Sequence, residues 1–170
     1  MDKTTSSTIV IAVLLLALVG MLIGWRRRQS SQAHLAEPDA IPLKIGDSML
    51  RVEALYLAST IADDELNRIA VSGLGFRARA VVTVSQAGIV LDLVGEREVF
   101  ISRAKLRDID RATFTIDRAV ETDGLVRITW LLGDTAIDSY LRLTNASESA
   151  ALIQAVESIL PTSAPLKGHA

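Results

Sequence analysis

From Thr8 to Trp25 the chain reads TIVIAVLLLALVGMLIGW, eighteen consecutive residues without a charge. Such a run has few destinations in a folded protein. As a helix it would extend about 27 Å, close to the ~30 Å hydrocarbon thickness of a bilayer. A cleavable secretory signal would end in small uncharged residues. This run ends in Trp25-Arg26-Arg27-Arg28 and is longer than a usual signal core. The expectation is a retained transmembrane helix over residues 8–25, after a short N-terminal tail at 1–7. Lys3, opposed by Asp2, stands before the run and three arginines stand after it. The heavier basic flank stays in the cytoplasm, so the N-terminus is expected outside the plasma membrane and residues 26–170 inside. Arg26, Arg27 and Arg28 thus read first as a topology signal. As a lipid-headgroup site, three charges fall short of the about four to eight that such sites use. Gly20 and Gly24 form a GxxxG pattern, which would let two helices approach closely as a homodimer.

The remaining composition removes whole classes of function. Among 170 residues the formal charge is −2, which argues against a nucleic-acid binder held by many phosphate contacts. There is no cysteine, hence no disulfide, thiolate metal site or cysteine nucleophile. His34 and His169, the only histidines, lie in polar flanks and leave little for a metal centre or a Ser-His-Asp triad. The expectation is a chain without cofactor, metal or nucleic-acid partner.

Residues 26–46 read as a basic stop and a flexible linker with Pro38, Pro42 and Gly46, and 162–170 as a polar tail. Between them, residues 47–161 alternate mostly with period two, as half-buried antiparallel strands do. Seven strands are predicted, at 49–60, 77–85, 88–94, 97–102, 109–117, 125–132 and 135–144. Turn signals separate them, Asp123-Gly124 the plainest hairpin cue among them. A short helical turn is placed at 64–70. From Asn145 the pattern changes to helical, with Asn145 and Glu148 spaced as a capping box. Leu152, Ile153, Val156, Ile159 and Leu160 share one face before Pro161 ends the run. Seven antiparallel strands closed by one C-terminal helix describe a pleckstrin-homology-like (PH-like) barrel.

The stretches GLGFRARAVVTVSQAGIVLD, RATFTIDRAVETDGLVRITWLLGD and TAIDSYLRL resemble actinobacterial single-pass membrane proteins with a PH-like domain. The resemblance covers most of residues 50–160, and the preceding apolar run with its basic stop also fits. It implies the fold and membrane attachment and brings no catalytic signature. Proteins of that kind are often labelled loosely as membrane, export or transporter proteins. A single helix forms no transport path by itself, so such a label would require partners.

The string Gly73-Leu74-Gly75-Phe76-Arg77-Ala78-Arg79 is the most distinctive candidate site. Two glycines permit a sharp turn, and Arg77 and Arg79 project from one face of the next strand, as an anion cradle would require. The plainer reading is a turn followed by a solvated strand face. Arg103, Lys105 and Arg107 would likewise share a face if extended, and read as edge-strand charge. Asp63-Asp64-Glu65, and Asp108 and Asp110 beside Arg107 and Arg111, read as salt-bridged surface, and Glu96-Arg97-Glu98 reads as a hairpin rim. Phe114, Trp130 and Tyr140 read as strand packing. No catalytic arrangement emerges, so a non-enzymatic interaction module is expected at the cytoplasmic face, positioning a protein partner. Residues 41–170 carry 14 basic and 17 acidic side chains, which favours a protein partner over anionic lipid. The alternatives are an accessory subunit of a membrane or transport complex, acting through its helix, and an anionic-lipid binder.

Overall fold

In the computed structural model of the chain, residues 3–31, 35–112 and 124–161 are described, with side chains for all but 3–9, 25, 27–31 and 65. Two compact units result, Met1–His34 and Leu35–Ala170. The first unit is one helix, α1 (Lys3–Ser31), whose 29 residues would extend about 44 Å. Its side chains from Val10 to Gly24 are exposed. Among the described residues no helix is long and apolar enough to cross a membrane. Thr8, Ile9 and Trp25, which complete the uncharged run, lie outside the described side chains.

The second unit is one antiparallel sheet with a C-terminal helix. Its strands are β1 (Ser48–Ile61), β2 (Asp64–Arg68), β3 (Ala78–Ser85), β4 (Gly88–Leu93), β5 (Val99–Ser102), β6 (Leu106–Ala112), β7 (Leu125–Leu132) and β8 (Thr135–Leu143). The helix is α2 (Ser149–Ile159). The sheet order is β5-β4-β3-β1-β8-β7-β6, and β2 pairs only with β1. β1 holds the sheet together by changing partners: Ser48–Tyr56 pairs with β3, and Ala54–Ile61 with β8. A register shift between Tyr56 and Ala58 accompanies the change. A bulge of this kind bends a strand and lets it serve two arms of a curved sheet.

Alternation puts Val82 and Val84, Ile89 and Leu91, Ile128 and Trp130, and Ile137 and Leu141 in one core. Leu152, Val156 and Ile159 of α2 join that core, the helix packing against β1, β3 and β6. Gly88 is required where it stands. It has φ +145°, and a Cβ there would overlap the Ile101 carbonyl of β5.

Several expectations are corrected. Among the described residues the sheet has eight strands where about seven are expected, the addition being β2, which replaces the helical turn expected at 64–70. Asp63 takes a left-handed φ of 66° in a two-residue turn, so Asp64–Arg68 folds back along β1 and satisfies its backbone there. Among the described residues β5 and β6 do not pair with each other, so the barrel is open. Arg103 and Lys105 do not share an extended face with Arg107, because Arg103–Lys105 forms a 3-10 turn. The strand expected at 109–117 starts at Leu106, and its end, with Phe114, lies outside the described residues. The capping box does not close: Asn145 Oδ1 accepts from Ser147 N and Oγ, and Glu148 makes no side-chain cap. The segment 35–46, expected within the linker, belongs to the second unit. His34 and the 162–170 tail, with His169, lie outside the described residues.

Candidate functional site

A buried row of hydroxyls positions the site from within. Trp130 Nε1 donates to Ser139 Oγ at 2.9 Å, and Ser139 Oγ lies 2.6 Å from Ser59 Oγ. The Tyr56 hydroxyl lies 2.8 Å from Ser59 Oγ and 2.9 Å from the Leu74 carbonyl. Each hydroxyl can donate once and accept once along this row, from the indole N–H to the Leu74 carbonyl, so no buried donor in it is wasted. Burial pushes the Tyr56 phenol well above its ordinary range, and it stays neutral. The row ties the turn after β2 to the core.

That turn carries Ser72 and Gly73 in left-handed conformations, φ 57° and 76°. A Cβ on Gly73 would come within 3.4 Å of the Glu96 side chain, so the turn abuts the β4–β5 connection. The other wall is the segment 35–41. Leu35 is buried, and Asp39 makes an isolated antiparallel bridge to Phe100 on β5. Lys105 Nζ donates to Asp39 Oδ1 at 2.6 Å. Burial would raise the Asp39 carboxyl, but hydrogen bonds from Lys105 and Ser102 hold it below its ordinary value.

Between these walls lies a groove of about 490 Å³. Glu37, Asp39, Glu96 and Glu98 line it, with Ser72, Gly73 and the floor residue Val99, and Arg97 is the only cation among the described lining residues. Glu37, Glu96 and Glu98 are exposed. The groove therefore presents negative charge over a short apolar floor, and suits a cationic segment.

The other candidate residues fall elsewhere. A Cβ on Gly75 would come within 3.2 Å of the Ala70 backbone, a close approach within the turn. Arg79 on β3 and Arg77, which precedes the strand, are exposed. Gly73 faces Glu96 and the groove, where the local charge opposes an anion. Gly20, Gly24 and Arg26 are on α1, in the other unit, and the side chains of Arg27 and Arg28 lie outside those described. A Cβ at Gly20 or Gly24 would meet nothing within 4 Å.

On the outer sheet face, Asp110 pairs with Arg127, through bonds of 2.9 and 2.5 Å, because β6 and β7 place them opposite each other. Arg107 instead donates to the Ala104 and Leu106 carbonyls. Asp138 accepts from Thr129 at 2.6 Å, and Arg127 stands 3.8 Å away. Burial raises its carboxyl, and the Thr129 bond and Arg127 only partly oppose that. This cross-strand cluster ties β6, β7 and β8 together. Among the described residues no group of three or more His, Cys, Asp or Glu could hold a metal ion.

Sequence reasoning recognised Glu96-Arg97-Glu98 as a hairpin rim and missed Glu37 and Asp39, which it assigned to a linker. No local signal distinguishes them, since the groove comes from apposing segments roughly sixty residues apart in the chain.

A family model described as bacterial PH domain-like matches residues 35–157, more than two thirds of the chain. The match begins at the residue where the second compact unit begins. No curated protein matches the chain. A PH-like domain of this kind suggests an interaction module for proteins or lipids. On fold, extent and match together, the chain belongs to the bacterial PH domain-like family.

Proposed function

We propose that the protein is a membrane-tethered, non-catalytic interaction module that holds a protein partner at the cytoplasmic face of the plasma membrane. The observation that carries the choice of partner is the groove, which Glu37, Glu96 and Glu98 line with Arg97, while Asp39 is paired with Lys105. A carboxylate-lined groove attracts lysine- or arginine-bearing protein and repels phosphate headgroups. The tether is supported by the eighteen uncharged residues within α1 and by the three arginines after them. It also accords with the resemblance to actinobacterial single-pass membrane proteins. Anchoring raises the effective concentration of a partner at the same surface, so modest affinity suffices.

The absence of cysteine allows a clean test of placement. Ser163→Cys in intact cells should react with an impermeant maleimide only after lysis, and the chain should resist carbonate extraction. Labelling of intact cells would overturn the cytoplasmic placement. Replacing residues 8–25 by an unrelated apolar helix should preserve partner capture. Loss of capture would favour the second reading, an accessory subunit whose Gly20/Gly24 face packs against another helix, including that of a second copy.

A further inference from the structure

We propose that the outer edge of β5 is the docking edge of this module, that an extended basic segment of a protein partner adds to it as a strand, and that residues 35–41 are the chain's own removable cover of that edge. The proposal rests on reading the groove as a partner site. β5 ends the sheet: β4 pairs with it from Val99 to Ser102 on one side. On its other side, among the described residues, the only bridge is that between Asp39 and Phe100. A single bridge is not a ladder, and a terminal strand with spare backbone donors and acceptors is a template for another chain. At Phe100 the edge already pairs, antiparallel, with one residue of its own chain.

The cover is held at few points. Lys105 and Ser102 grip the Asp39 carboxylate, and Leu35 is buried at its start. Beside it the groove stays open as far as the β4–β5 connection. An incoming segment would meet Glu96 and Glu98 there, which stay in place when the cover leaves and select lysine and arginine. To pair along β5 it must displace Asp39 from Phe100, and the Asp39–Lys105 pair breaks as the cover leaves. Occupancy then depends on how often the cover is off.

The test uses the full chain in nanodiscs, a labelled short peptide alternating lysine and valine, and a glutamate–valine control. Asp39→Asn removes a carboxylate from the groove, so simple attraction predicts weaker binding. Release of the cover predicts binding about two- to fivefold tighter, the weight of a lost surface ion pair. Hydrogen exchange should show residues 99–102 protected by the peptide and residues 35–41 exposed by it. Asp39→Cys with Phe100→Cys spans an antiparallel pair within disulfide reach. Oxidised, this variant should lose binding, and reductant should restore it. Equal binding by the oxidised and reduced forms, or no change in exchange at 35–41 when peptide binds, would overturn the docking edge and leave the groove reading standing. Failure of wild type and Asp39→Asn to prefer the lysine peptide would overturn both.

Discussion

The two α-helices among the described residues are both rich in leucine, isoleucine, valine and alanine, and they solve opposite problems. In α2 the apolar residues fall on one face: Leu152, Val156 and Ile159 are fully buried while Gln154, Glu157 and Ser158 face out. A stripe of that width is satisfied by one side of a sheet. In α1 the apolar residues surround the axis, and Leu16 is 72% exposed and Met21 76%. One packed face would leave most of such a helix uncovered. Composition alone would class the helices together, and arrangement around the axis separates them.

The sharpest way to break this comparison is a matched pair of charges. Val156→Asp places a carboxylate at a fully buried position of the hydrophobic core, and should cost at least about 3 kcal/mol, enough to unfold a marginal domain. Its mirror, Leu16→Asp, should leave the denaturant midpoint of the domain unchanged and deplete the carbonate-resistant membrane fraction. A domain midpoint that falls equally in both variants would remove the distinction between the helices.

Truncation sharpens the same contrast. Leu152→Ala should cost about 2–5 kcal/mol in chemical denaturation, because it empties a fully buried site. Leu16→Ala should stay within about 0.5 kcal/mol for the domain. A smaller effect is expected where the domain buries polar groups. Ser139→Ala removes the acceptor of the Trp130 indole N–H and the neighbour of Ser59, and should cost about 1–3 kcal/mol. Trp130→Phe made in that background should cost less than it does alone, because the donor is already orphaned.

The smallest effect concerns the segment at the start of the domain. Asp39 has a folded pKa below its ordinary 3.8, so its ionised form favours docking of residues 35–41. That contribution is complete above the ordinary value and is lost as pH falls through the lower folded one. Hydrogen exchange over 35–41, corrected for its intrinsic pH dependence, should therefore quicken as acid is added below about pH 4. In Asp39→Asn this acceleration should disappear.

Much of the domain is legible in the sequence. Period-two runs such as Val126, Ile128 and Trp130 mark β7 residue by residue, because a strand with one wet face must alternate. The helical spacing of Leu152, Val156 and Ile159 marks the buried face of α2 in the same way. β2 was not legible: Asp64-Glu65-Leu66-Asn67-Arg68 carries no apolar alternation and is a strand only because β1 offers it a ladder. The partner of Asp110 was equally hidden, since Arg127 reaches it through the β6–β7 register and not through proximity in the chain.

The sequence by itself therefore determined what depends on neighbours along the chain: the uncharged run within α1, the strand alternation, the amphipathic helix and the absence of thiol chemistry. Only the tertiary structure decided what depends on neighbours in space. It brought Asp39 to Phe100 and Lys105, set Gly73 against Glu96, and ran one row of hydroxyls from Trp130 to the Leu74 carbonyl. Hydrophobic periodicity is a local code, written every two or every 3.6 residues. A groove, an edge and its cover are made by segments that periodicity does not relate, and only the folded register puts them side by side.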